Sequence, residues 1–153
     1  MNYYVSVTGL KVKTLWYYPT FYKHAVPSVM QAKSSPGNVF TDTKMQKGVQ
    51  HTLTVWKDKA SMLSFLRSGA HAQAMKVTKQ ISDMSETKVY GYESDTMPTW
   101  EEALALWEEH GAYHGKKPTP KKVEGSSGWV YQSVFCLAIV TVAAVSSAKV
   151  LLY

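Results

Sequence analysis

Val49-Gln-His51-Thr-Leu-Thr-Val-Trp56-Lys-Asp58-Lys-Ala-Ser-Met-Leu-Ser-Phe65-Leu-Arg-Ser-Gly69-Ala-His71-Ala-Gln-Ala-Met75 is the stretch that decides the fold. Val49 to Trp56 reads as a strand, paired as a hairpin with Val39 to Met45 around Lys47-Gly48, because a two-residue turn with glycine suits antiparallel neighbours. Asp58 then offers an N-cap for a helix carrying Met62, Phe65 and Leu66. Gly69 is expected to end that helix before a second helical stretch with His71, Ala74, Met75 and Thr78.

Upstream, Tyr3, Val5 and Val7 alternate with Tyr4, Ser6 and Thr8, the period of a strand with one buried face. Trp16 to Ala32 repeats apolar residues at Phe21, Ala25, Val29 and Ala32, which predicts a helix that Pro27 should kink or divide. The turn cluster Ser34 to Asn38 separates it from the hairpin. Downstream, Val89 to Glu93 reads as a fourth strand. Thr99 and Glu102 then form a capping box for a last helix, with Trp100, Ala103, Leu104 and Trp107 on its apolar stripe and Glu101, Glu102, Glu108 and Glu109 on a solvated face. The fold class is therefore α+β, and its β-α-β-β-α-β core matches the split βαβ arrangement of ferredoxin-like folds, with a four-stranded antiparallel sheet. With helices on one face only, the other sheet face is left for a partner, a second copy or a ligand.

The 153 residues allow one domain of common size, taken as residues 1–113, plus two shorter segments. Residues 114–128 are rich in Gly, Pro, Lys and Ser and read as a basic linker. Residues 129–149 read as a transmembrane helix, since Trp129 to Ala148 carries no formal charge and is long enough to cross a bilayer. Trp129, Tyr131 and Tyr153 suit the membrane interfaces and Lys149 can snorkel. Lys116, Lys117, Lys121 and Lys122 suit an anionic surface and place the N-terminal domain on the cytoplasmic, stromal or matrix side. Ala143, Ala144 and Ser147 offer a small-residue surface for packing against another transmembrane helix.

The net charge of +6 calls for an anionic neighbour without naming it. Cys136, the single cysteine, lies in the apolar tail, so disulfide, iron–sulfur and thiol chemistry in the domain are excluded. Phosphate loops, nucleophile elbows and paired carboxylates have no match, and no strand carries the aromatic pattern of an RNA-binding sheet, so nucleic acid is not an expected partner. Of the five histidines, His110 and His114 are four apart but straddle Gly111, where helix capping explains them better than a metal; no metal site is expected.

The stretch quoted first, with Pro98-Thr-Trp100-Glu-Glu-Ala103, resembles the antibiotic-biosynthesis-monooxygenase-like group of small dimeric α/β-barrel proteins over residues 1–112. That group includes cofactor-free oxygenases, haem-handling proteins and proteins of no known activity, so the resemblance does not convert to a reaction. It implies a pocket between sheet and helices near His71 and Trp56, with His51 as a further candidate were the chain an enzyme. The added anchor shifts the expectation toward a non-catalytic accessory subunit of a large membrane complex. A photosystem of the photosystem I type in a plastid thylakoid, or a respiratory assembly, is the expected setting, with other subunits and the lipid bilayer as partners. Chlorophyll, carotenoid or lipid would then contact the transmembrane helix. The alternative is a membrane-tethered monooxygenase-like or haem-handling enzyme acting on a lipophilic substrate.

Overall fold

The computed structural model describes residues 2–113. Lys116, Lys117, Lys121, Lys122, Trp129, Tyr131, Ala143, Ala144, Ser147, Lys149 and Tyr153, with the linker and transmembrane helix expected there, lie outside the described residues. Among the described residues no helix is long and apolar enough to cross a membrane.

The chain runs β1 (Tyr3–Lys11), a short 3-10 turn (Leu15–Tyr17), α1 (Tyr18–Ser34), β2 (Asn38–Gln46), β3 (Val49–Trp56), α2 (Lys59–Leu66), α3 (Gly69–Ile81), β4 (Lys88–Ser94), α4 (Trp100–His110) and β5 (Ala112–Tyr113). The sheet is antiparallel with strand order β2-β3-β1-β4-β5, so its four long strands have the ferredoxin-like arrangement. It has five strands rather than four. Two residues after α4 fold back along β4, pairing Ala112 with Val89 and Tyr113 with Lys88. So short a strand has no alternation to betray it in the sequence.

Local chemistry explains the elements. Lys47 and Gly48 both take positive φ, 51° and 77°, as the tight turn between β2 and β3 demands. The Asp58 carboxylate accepts the Ser61 amide at 2.7 Å, and Thr99 and Glu102 close the capping box of α4 reciprocally. Pro27 neither divides nor ends α1. It sits on the exposed side of the helix, which continues without the amide that would otherwise bond the Lys23 carbonyl. Gly69 does not end a helix but begins α3, in the left-handed region at φ 56°. There a Cβ would strike the Gln31 amide, 2.7 Å from its Oε1.

A larger correction concerns the second sheet face, which is not bare. Period-two alternation sends Val5 and Val7 of β1 and Val49, Leu53 and Val55 of β3 to one side, where Ala103 and Trp107 of α4 close a core over them. The Trp107 indole donates to the Lys88 carbonyl at 3.0 Å, and Trp100 donates to Asp42 at 2.9 Å. These bonds tie both ends of α4 to the sheet. The other face carries α1, α2 and α3, with Ala32, Trp56, Met62 and Phe65 as a second, smaller core. The described domain therefore has three layers: helices, sheet, helix.

Candidate functional site

Between the sheet and the α1–α3 layer lies a cavity of about 350 Å³. Its floor is the polar side of the central strands: Ser6 and Thr8 from β1, Gln50, Thr52 and Thr54 from β3. Phe21, Val29, Phe65, Met75 and Ile81 supply much of its apolar wall. The side chains alternating with the α4 core are thus small and hydroxylated, and a strand face of Ser and Thr leaves room that Val and Leu would fill. The Gln50 Nε2 is buried without a hydrogen-bond partner, a donor for a polar atom of any molecule entering here. Among the described residues no Asp or Glu lines the cavity.

His71 reaches this cavity from the first turn of α3. Its ring packs against Phe65 with centroids 4.5 Å apart, and Nδ1 lies 3.1 Å from the Leu66 carbonyl. A carbonyl only accepts, so Nδ1 carries the proton in that bond. Its backbone amide donates at 2.9 Å to Gln31 on α1, whose own amide donates to the Ser68 carbonyl at 3.1 Å and the Ser68 hydroxyl at 3.2 Å. The Ser68 side chain makes no cap hydrogen bond of its own to α3, so a glutamine from another helix fills that role and fixes His71. Sequence reasoning missed Gln31; nothing in local spacing announces a cap that arrives from 40 residues away.

The other two candidates stand apart. Trp56 is fully buried behind the wall, stacked on Phe65 with centroids 5.1 Å apart, so it backs the cavity without lining it. His51 points to the opposite side of the sheet. It is 4 % exposed, meets the Trp107 ring edge-on at 4.6 Å and leaves Nδ1 unpaired. Burial pushes its pKa below the ordinary histidine value, against a weaker upward pull from the Thr8 backbone. It borders a second cleft with Lys88, Glu86 and Glu108. Of the three candidates, His71 thus lines the cavity, Trp56 backs it through Phe65, and His51 lies on the opposite face of the sheet. His24 of α1, not singled out beforehand, does line the cavity. Among the described residues no group of three or more His, Cys, Asp or Glu is placed to hold a metal.

No family model matches the chain, and no curated protein matches it. Solved structures do. A putative antibiotic biosynthesis monooxygenase from Nitrosomonas europaea is 14 % identical, aligns over 63 % of this chain and 94 % of its own, with a TM-score of 0.55. One from Deinococcus radiodurans is likewise 14 % identical, over 63 % and 96 %, with a TM-score of 0.54. A conserved protein from Methanosarcina mazei Go1 is 17 % identical, over 60 % and 92 %, also at 0.54. At such identities the likeness concerns the fold. The domain has the ferredoxin-like architecture of antibiotic-biosynthesis-monooxygenase-like proteins, and the resemblance read from the sequence holds at that level.

Proposed function

We propose that this chain is a membrane-anchored, non-catalytic accessory subunit that docks its N-terminal domain on a large membrane complex and stabilises it. The observation that carries the reading is the uncharged run Trp129 to Ala148 behind a lysine-bearing linker, the pattern of a single span with its preceding domain on the positively flanked side. His71 is anchored through Nδ1 at the Leu66 carbonyl and packs against the Phe65 ring. The setting proposed is an energy-transducing membrane, a photosystem of the photosystem I type or a respiratory assembly, with lipid or pigment along the span.

The cavity favours a second reading. About 350 Å³ of mostly apolar space, with hydroxyls, Gln50 and a histidine at its edge, suits a membrane-tethered oxygenase-like or haem-handling enzyme acting on a lipophilic molecule. Native membranes opened with mild detergent separate the two. Comigration with a large complex, undisturbed by His71→Ala, supports the subunit. A free dimer that turns over a quinone-like or isoprenoid substrate, and loses that activity with His71→Ala, refutes it.

A further inference from the structure

The helical layer is electrostatically one-sided. α1, α2 and α3 contain no Asp or Glu, while Lys23, Lys33, Lys59, Arg67, Lys76 and Lys79 are all exposed on the helices or the corner between them. α4, across the sheet, carries Glu101, Glu102, Glu108 and Glu109, all exposed. The charged side chains borne by α1, α2 and α3 are thus all basic, with the Asp58 cap of α2 beside them, and those borne by α4 are acidic apart from His110.

The cationic layer is also greasy where a solvated helix would be polar. Tyr22, Val26 and Met30 recur every fourth residue along the outward strip of α1 and are 50 %, 51 % and 65 % exposed. Leu15 and Trp16, in the 3-10 turn leading into α1, are 83 % and 89 % exposed. Lys23 and Lys33 are exposed on the same helix. From Trp16 to Met30 the strip runs about 20 Å at the helical rise per residue. α1 turns Phe21, Ala25, Val29 and Ala32 toward the cavity and the sheet, so it carries apolar side chains on both sides. A fold that needed only its own core would leave the outer one polar.

We propose that the outer face of α1, with Leu15 and Trp16, lies on an anionic bilayer surface, the aromatic and aliphatic side chains among the headgroups and the lysines over the lipid phosphates. Trp and Tyr favour the membrane–water boundary, and cations near it gain from the anionic leaflet. A protein partner would have to supply acids all around the strip, whereas an anionic headgroup layer presents them everywhere. This rests on the anchor reading above, under which the domain is tethered to the bilayer. The acidic α4 then faces away from the lipid.

The test uses the full chain with Cys136 changed to Ser, bearing one nitroxide label at Val26→Cys, Met30→Cys or, as control on the acidic layer, Glu109→Cys. It is placed in phosphatidylcholine vesicles with or without phosphatidylglycerol. With phosphatidylglycerol, labels 26 and 30 lose collisions with a water-soluble nickel relaxant several-fold and gain them with oxygen, while label 109 stays in water. Lys23→Gln with Lys33→Gln lowers the docking constant about thirtyfold, from about fivefold per lysine. Alkaline carbonate extraction reads the anchor separately. If the chain resists extraction but labels 26 and 30 stay as wet as label 109, the docking face is overturned and the anchor stands. If the labels are shielded but carbonate strips the chain, the docking face stands and the anchor is overturned. Shielding seen only in native membranes, never in protein-free vesicles, overturns the proposal in favour of a protein partner.

Discussion

Gly9 is the point where α4 presses closest to the sheet, and Gly9→Ala tests the three-layer arrangement directly. A Cβ at this position would stand inside contact distance of the Trp107 Cζ2, 2.8 Å from Cε2 and 3.0 Å from the His51 Cε1. Neither ring is a flexible side-chain end. Trp107 is buried, bonded through its indole N–H to Lys88 and edge-packed on His51, with the Lys88 ammonium 4.6 Å above its ring. Overpacking of this kind costs about 1–3 kcal/mol, and a lengthened indole hydrogen bond adds about 1. Stiffening the unfolded chain returns roughly 0.4–1 kcal/mol, leaving a net loss of about 2–3. For a domain of this size that lowers Tm by roughly 10–20 °C. Unfolding of the purified chain, followed by near-ultraviolet circular dichroism, reads it. The cycle with Trp107→Leu is sharper still, because the smaller side chain makes room for the methyl. In that background Gly9→Ala costs at most about 0.5 kcal/mol, a coupling near 2. Equal cost in both backgrounds would refute the packing argument.

Three further outcomes follow from geometry already described. Gln31→Leu removes the cap of α3 and destabilises the domain by about 1–2 kcal/mol, with the amide of His71 exchanging hydrogen faster; unchanged exchange there would mean Gln31 does not hold that turn. Trp100→Phe deletes the hydrogen bond to Asp42, a carboxylate whose pKa is held low first by that bond and then by the Thr43 backbone. It should cost about 1 kcal/mol and raise the Asp42 pKa, read by carboxyl-carbon magnetic resonance titration. His51, with its pKa lowered by burial, leaves stability intact above the ordinary histidine value of about 6.5 and withdraws it as pH falls below that. The steepest loss is about 1.4 kcal/mol per pH unit, and His51→Gln should flatten it; denaturant midpoints compared at about pH 7 and pH 5 decide, and an equal slope in both proteins refutes the assignment.

The elements with local chemical signatures were legible in the sequence. The alternation through Val5 and Val7, the Lys47-Gly48 turn, the Asp58 cap and the Thr99–Glu102 box each act within a few residues, and each stands where it was read. Pro27 left α1 undivided, and Gly69 misled because its meaning depends on which residue approaches from elsewhere. The placement of α4 was hidden for the same reason. A stripe of Trp100, Ala103 and Trp107 says that a helix packs, not on which side of the sheet. Once α4 takes the valine face, parity assigns the rest. His51 shares the parity of Val49 and Leu53 and goes to the core, while Gln50, Thr52 and Thr54 go to the cavity. The histidine pair was therefore separable by counting, but only after the layers were known.

The strand order has a consequence for how the chain is made. β1 is synthesised before the other described strands yet occupies the sheet's interior, flanked by β3 and β4. Its second neighbour is complete only when Ser94 has been added, more than 80 residues after Lys11. At about 5–20 residues per second, that leaves an apolar strand with an open edge for roughly 4–17 seconds. The β2–β3 hairpin closes locally and much faster, so it is the template on which the waiting strand is captured. A slower-growing or prematurely ended chain would expose Val5 and Val7 to the associations that unpaired edges invite, which makes β1 the segment a nascent-chain chaperone would meet.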